Sequence, residues 1–306
     1  MRTLFIVNPR SSNGRTGRRW RKLLPVVRKH FGDSFEYTNT EYAFHAASLA
    51  RRGIDEGYTN IISVGGDGTI NEVLNGFFRN GKLINGNVAL GILPIGTGAD
   101  FARYLALPAT DEERIKRLKE PKLSKIDVGK AEYRSLNGDM TTRYFINILD
   151  FGIGGAVVER VNRTTKLFGG KMSFLWSIFL TLPSYKNKHI TYRLDDGVWQ
   201  EKVLNNFIVA NGAYFGGGLH PAPHARIDDG FFDIVLFGDV TLFEALRNLP
   251  HLRKGKHLAH PKIFSTRAAA IEARSGETIY IDIDGECAGT LPVKVTILKK
   301  VLPFSC

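Results

Sequence analysis

The sequence has little cysteine, no long apolar run, no internal repeat and no low-complexity tract. Two cysteines, Cys287 and Cys306, cannot build a disulfide framework, so a reduced, cytoplasmic compartment is expected. The longest apolar stretch, residues 172–182, stops at Pro183 and falls well short of the ~20 residues that a membrane-crossing helix needs. The Leu4-Phe5-Ile6-Val7 run meets Asn8-Pro9 at once, which is too short for the apolar core of a secretory signal. Acidic residues are also in deficit, 30 against 42 basic ones, for a net charge of +12. Such a surface attracts nucleic acid, anionic lipid or phosphorylated small molecules, and charge alone does not choose among them. No nucleic-acid-binding motif or aromatic platform accompanies the charge, so nucleic acid is not an expected partner.

What is present reads as two domains, the expectation for 306 residues. Strand and helix signals alternate at first, with strands at 3–7, 35–38, 61–64 and 88–93. Helices are expected over 18–31, with Leu23, Leu24 and Val27 inward, over 43–56, and after each glycine loop. Alternation of this spacing predicts an α/β domain with a parallel sheet over residues 1–124. Strands then dominate residues 125–297, at 126–131, 144–150, 190–194, 203–210, 231–237, 269–272, 278–284 and 293–298. Helices are expected there at 171–182 and 242–255, and Asp195-Asp196-Gly197 signals a hairpin. Residues 298–306 are a candidate for returning to the first domain.

The most informative stretch is Val64-Gly65-Gly66-Asp67-Gly68-Thr69-Ile70-Asn71-Glu72-Val73. Ile70, Val73, Leu74, Phe77 and Phe78 follow helical spacing. Thr69 and Glu72 form a capping-box pattern that places the helix start at Thr69. A strand, a run of glycines and a helix N-terminus make a phosphate site, because the backbone can approach closely and free N–H groups favour an anion. Asp67 would repel phosphate directly; it suits a cation, a magnesium-bound water or a hydroxyl. A Gly-Asp-Gly hairpin is the competing reading, and the helical period downstream opposes it. The loop is neither a Walker A sequence nor a dinucleotide fingerprint.

Gly65-Gly66-Asp67-Gly68-Thr69 running into Asn71-Glu72-Val73 resembles the diacylglycerol kinase catalytic domain family of lipid kinases, which includes sphingosine kinases and bacterial lipid kinases. The resemblance continues in order along nearly the whole chain. It takes in Asn8-Pro9 with Gly14, the second loop Leu93-Pro94-Ile95-Gly96-Thr97-Gly98-Ala99-Asp100-Phe101-Ala102-Arg103, the segment Asp228-Asp229-Gly230-Phe231-Phe232-Asp233, and Asp284-Gly285-Glu286. It implies a nucleotide-binding α/β domain followed by a β-sandwich lipid-substrate domain, with the active site in the cleft between them. It also implies ATP and Mg2+ as cofactors and a lipid hydroxyl as acceptor, at an anionic membrane surface to which the protein attaches peripherally. A homodimer is the assembly that family members often form.

The resemblance also assigns roles. Asn8, Pro9, Gly65, Gly66, Asp67, Gly68, Thr69, Glu72, Gly96, Thr97, Gly98 and Asp100 would bind nucleotide. Asp67, Asp100 and Asp127 would form a water-linked magnesium network, and Asp229 with the carbonyls of Arg226 and Phe231 a separate structural ion site. Asp284 would be the general base, with Glu286 holding magnesium or orienting the base. Alternation along that strand puts Tyr280, Asp282 and Asp284 on one face and Ile279, Ile281 and Ile283 on the other; spacing alone is equally consistent with a plain hairpin turn at Asp284-Gly285. Arg15, Arg19 and Arg103, near the two loops, are candidates for phosphate or headgroup contacts, with Arg18 beside them. Ala99 departs from the family's usual Asn, which bears on nucleotide preference. Residues 172–182, flanked by lysines, fit either an interfacial helix or a core helix. His257 and His260 lack further metal ligands nearby and read as structural. The competing functions are a kinase of a soluble substrate, as in NAD kinases and phosphofructokinases, and a non-catalytic lipid or nucleotide sensor.

Overall fold

The computed structural model describes residues 2–95, 100–168 and 180–305, with side chains described except at 162–168. The chain forms two compact units, Met1–Val128 with Lys299–Cys306, and Gly129–Leu298.

The first unit contains, in chain order, β1 (Thr3–Val7), α1 (Arg15–Phe31), β2 (Phe35–Asn39), α2 (His45–Asp55), β3 (Asn60–Gly65) and α3 (Asp67–Gly76). A two-strand hairpin of β4 (Phe78–Arg79) and β5 (Lys82–Leu83) follows, then β6 (Ala89–Pro94), α4 (Asp100–Tyr104) and α5 (Asp111–Lys119). The sheet order is β2-β1-β3-β6, every pair parallel. β1, β3 and β6 are buried along their whole length, which is why each reads as a mostly apolar run. One face carries Phe5, Ile62 and Val64 against Trp20 and Phe31 of α1 and Ile115 of α5. The other face carries Leu4 and Ile61, against which Gly53 of α2 packs so closely that a Cβ there would clash with the Leu4 side chain. After β2 the chain crosses to the other side of β1. The carboxyl ends of β1 and β3 therefore flank a topological switch point, the place where open α/β sheets bind ligands.

Two expectations are corrected here. α1 starts at Arg15, and its buried residues are Thr16, Trp20, Val27 and Phe31, with Leu23 and Leu24 only at the margin of the core. α3 starts at Asp67 with Gly66 as N-cap, and the Thr69–Glu72 capping box does not form. The Thr69 hydroxyl is turned against Gly65 and accepts from Asn8 Nδ2 (3.1 Å), while Glu72 Oε2 accepts the Ala46 N–H at the start of α2. Both polar groups serve tertiary contacts in place of their own helix end.

β7 (Leu123–Ser135) leads into the second unit. There follow β8 (Met140–Phe145), β9 (Ile148–Gly152), α6 (Ile153–Phe168), β10 (Lys188–Leu194), β11 (Gln200–Leu204), β12 (Asn206–Ala210) and β13 (Phe232–Phe237). The remainder is α7 (Leu242–Arg253), β14 (Ile263–Ala268), β15 (Ala270–Arg274), β16 (Tyr280–Ile283) and β17 (Glu286–Ser305). One layer runs β14-β13-β12-β9-β16-β17 and is antiparallel at the pairs β14-β13, β13-β12, β12-β9, β9-β16 and β16-β17. β10 joins β11 to β15, and β15 pairs with β17, which builds the second layer. Phe145, Phe151, Phe207, Tyr192, Ile271 and Val295 meet in the core between the layers, giving the β-sandwich. The end of β17 belongs to the first unit, where Phe304 and Ser305 pair in parallel with Leu90 and Gly91 of β6.

Differences from expectation are instructive. The expected strand at 144–150 is interrupted at Ile146-Asn147, and that at 203–210 at Asn205. α6 and β14 were not anticipated. Two glycines opening α6 weaken its helical signal, yet they are what lets it dock: a Cβ on Gly154 would collide with the Asp150 carboxylate, and one on Gly155 with the Tyr280 carbonyl. Of the expected helix at 171–182, residues 171–179 lie outside the described residues.

Candidate active site

In the first unit, the loops after β1 and β3 meet. Asn8 bridges them, donating to Thr69 and accepting from the backbone N–H of Arg10 and Ser11 through Oδ1. Thr16, buried at the start of α1, donates its hydroxyl proton to the Ile95 carbonyl (2.9 Å), tying the first loop to the entry of the second. Gly66 caps α3, so the first-turn N–H groups open at the switch point and can receive phosphate oxygens.

Asp67 lies in that first turn, and its carboxylate accepts the Asp100 N–H at 3.0 Å and the Phe101 N–H at 3.4 Å. Thus the aspartates of the two glycine loops are brought together, with Asp67 seated on the N-terminus of α4. Asp100 is buried and pairs with Arg103 (3.2 Å). Asp127, fully buried, accepts the Lys300 N–H at 2.6 Å and so holds the returning end of β17. Gly96, Thr97, Gly98 and Ala99 lie outside the described residues. Carboxylate oxygens are hard donors that suit magnesium. Among the described residues, however, no three Asp, Glu, His or Cys side chains cluster closely enough to hold a metal. Two carboxylates alone would leave most of a magnesium coordination shell to water.

The arginines differ in their commitments. Arg15 is exposed on α1. Arg19 Nη2 and Nε reach Asp111 Oδ2 at 2.6 and 2.8 Å, so this half-exposed arginine links α1 to α5.

In the second unit, Asp284 does not lie on a strand face as the alternation implied. β16 ends at Ile283, and Asp284 and Gly285 take positive φ (51° and 88°), the geometry of a tight hairpin turn into β17. Ile279, Ile281 and Ile283 do pack the core. From the turn, the Asp284 carboxylate accepts the Ile146 N–H through Oδ2 (3.2 Å) and the Asn147 and Ile148 N–H groups through Oδ1 (3.2 and 3.0 Å). Those N–H groups are available because the strand breaks between β8 and β9. Glu286 is engaged by Arg143 at 2.5 Å. Arg143 is almost buried; burial opposes its charge, and Glu286 first and then Tyr133 and Asp284 favour it. Sequence reading missed Arg143, which has no local motif around it.

At the Asp228-Asp229-Gly230 turn, Asp229 Oδ1 accepts the Phe231 N–H (3.1 Å), and Arg267 holds Oδ2. Arg226 reaches Asp228 (3.3 Å). The Asp233 carboxyl nearby is shifted up, chiefly by burial, and its Oδ2 has no hydrogen-bond partner. A structural ion here would have to share Asp229 with Arg267.

A largely apolar pocket, partly open to solvent, lies within the second unit. Its wall includes Ile153 and Val157 of α6, Ile208 of β12, Phe237 of β13, and Leu249 and Leu252 of α7. Few polar groups interrupt it. Asn206 accepts the Gly154 N–H, and Glu244 is committed to Lys262 at 2.8 Å. His257 is buried, stacks on Phe237 and bonds to the Pro221 carbonyl (3.0 Å). Burial pulls its pKa down to about 4, outweighing the raising effect of that carbonyl, so the ring is neutral at pH 7.

Among the described residues no helix is long and apolar enough to cross a membrane. Comparison with known proteins places this geometry. Residues 2–131 match the diacylglycerol kinase catalytic domain, and residues 147–305 match the YegS C-terminal NAD kinase beta sandwich-like domain. The diacylglycerol kinase of Staphylococcus carnosus (strain TM300) is 30% identical over 302 residues, covering 98% of this chain and 93% of that protein. That of Staphylococcus saprophyticus is 30% identical over 299 residues, covering 98% and 93%. A crystal structure of a diacylglycerol kinase from Bacillus anthracis str. Sterne shares the fold, with a TM-score of 0.70 at 22% identity over 99% of this chain and 96% of that one. A second structure from the same organism reaches a TM-score of 0.78 at 25% identity, covering 99% and 94%. With both domain models matched and whole-length relatives at this identity, the chain belongs to the diacylglycerol kinase family and is a kinase.

Proposed function

We propose that this kinase transfers the γ-phosphoryl group of ATP to the hydroxyl of diacylglycerol or a closely related lipid, with Asp284 as general base. The observation that favours a lipid over a soluble acceptor is the apolar lining of the pocket in the same unit as Asp284. A sugar or nucleotide has no use for such walls, whereas each methylene moved into them contributes about 0.8 kcal/mol.

The chemistry follows from the residues. The acceptor hydroxyl oxygen forms the new bond to the γ-phosphorus, its proton passes to the Asp284 carboxylate, and the bond from phosphorus to the ADP oxygen breaks. Three backbone N–H donors keep that carboxylate in one orientation. Arg143 holds Glu286 at 2.5 Å, which makes Glu286 a positioning group for the turn. The N-terminus of α3, with Asn8 and Thr69 joined behind it, receives the phosphates. Asp67 and Asp100 would hold magnesium through water, and the ion, when bound, neutralises phosphate charge. Arg15 is available for an anionic headgroup, and Arg103 shares Asp100.

Phosphorylation assays with labelled ATP test the reading, offering diacylglycerol in mixed micelles beside NAD and fructose 6-phosphate. Label in the lipid phase is the expected result. Label only in a water-soluble product overturns it.

A further inference from the structure

α7 has apolar side chains on two sides and buries none of its residues. Ala245, Asn248, Leu249 and Leu252, at helical spacing, line the cavity. Phe243 and Leu246, turned away from it, are 71% and 37% exposed, and Leu242 beside them is 41% exposed. Arg247, Arg253, Lys254 and Lys256 are exposed along the same helix and its end. The only acidic residue on the helix, Glu244, is held by Lys262 and by its own capping box with Thr241. A helix that packs on one core needs a single apolar stripe. Two stripes call for two apolar neighbours, and the cavity is the first.

We infer that the second is a bilayer containing anionic lipid, into whose interface α7 docks with Phe243 and Leu246 inserted and its cations among the headgroups. An apolar face bordered by Arg and Lys is the composition of a helix that lies in a membrane interface. The continuity of the two stripes supports the assignment: an acyl chain leaving the bilayer has only one helix, about 10 Å thick, between it and the cavity. A second copy of the chain is the weaker occupant, because a two-fold contact through α7 would set the same cations against one another. The inference rests on the lipid-kinase reading for its purpose, but docking is measured without catalysis.

Wild-type protein without ATP is sedimented with phosphatidylglycerol/phosphatidylcholine vesicles and with pure phosphatidylcholine vesicles. Preference for the anionic vesicles is expected, and Phe243→Ala with Leu246→Ala should weaken binding tenfold or more. Phe243→Trp, a surface change that leaves the fold intact, should show quenching by brominated phosphatidylcholine above that of wild type. Unchanged vesicle binding by the double variant, or no added quenching, overturns the docking. So does a wild-type dimer that the double variant converts to monomer, since a second copy would then cover this face. On a monodisperse short-chain diacylglycerol the double variant should turn over within twofold of wild type. Absence of turnover by wild type on that substrate would count against the lipid-kinase reading and leave the vesicle result standing on its own.

Discussion

Asp150 of β9 and Asp282 of β16 stand directly opposite each other in an antiparallel pair, both buried, on the sheet face that α6 covers. Their neighbours Leu149, Phe151, Ile281 and Ile283 point into the sandwich core, so alternation sends the two carboxyl groups to the other side. The Asn206 side chain and the Gly155 N–H favour the ionised Asp150 carboxylate, but burial outweighs them. Burial pushes the Asp150 pKa up to about 7, and burial first, then Asp150 and Asp284, push Asp282 well above the carboxylate range.

Both shifts are upward, so the fold keeps protons that the unfolded chain has already released. Stability is therefore highest at low pH on this account and falls as pH rises from about 4 toward 7, by on the order of 4 kcal/mol for Asp150. Asp150→Asn cannot ionise, and its melting temperature should exceed wild type at pH 8 by a margin that shrinks as pH approaches 4. A margin independent of pH would show that ionisation is not the cause.

Gly154 lies under the Asp150 carboxylate with no room for a methyl group. Gly154→Ala should cost about 2 kcal/mol or more, as overpacking does. Most of that cost should vanish when Asp150 is also changed to Ala, because the three atoms nearest the added methyl all belong to Asp150. Denaturant titration of the four proteins in this cycle gives the coupling; additive costs would place the strain elsewhere.

Asp284→Asn should lower turnover by roughly 10²–10⁴-fold, the usual worth of a general base, with ATP affinity within a few-fold of wild type. An amide can accept through one atom only, so its NH2 must oppose one of the three backbone N–H groups now bonded. A stability loss of about 1–3 kcal/mol is expected with it. Turnover like wild type would remove Asp284 from the mechanism.

Arg143→Met leaves Glu286 without its partner. Arg143 has 10% of its side chain exposed and Glu286 34%, so the loss lies between those of buried and surface pairs, about 1–3 kcal/mol. Glu286→Gln in the Arg143→Met background should recover part of it, since an uncharged amide is easier to leave unpaired. Equal stability of Arg143→Met and wild type, by urea unfolding, would refute the pairing's role.

Much of this protein was legible in residue order because the physics was local. Gly65 to Val73 carries its own strand end, glycine turn and helix period, so a strand–loop–helix unit could be read from adjacent residues. The parallel sheet was readable too, since strands buried on both faces are mostly apolar runs. Even locally the reading failed where a side chain had a better distant partner: Thr69 turned to Asn8 and Glu72 to Ala46, and the capping box was lost.

The second unit depended on distance in the chain. Asp284 meets backbone groups at Ile146–Ile148, Arg143 meets Glu286, and Asp150 meets Asp282, each pair more than 130 residues apart. α6 escaped notice because Gly154 and Gly155 dilute its apolar period, although packing against Asp150 and Tyr280 requires them. Residue order settles what neighbours in the chain can form, since propensity and periodicity act over a few residues. Which strands pair, in what register, and hence which carboxylates are buried together is decided only when the whole sheet closes. There a shift of one residue would send every side chain to the opposite face.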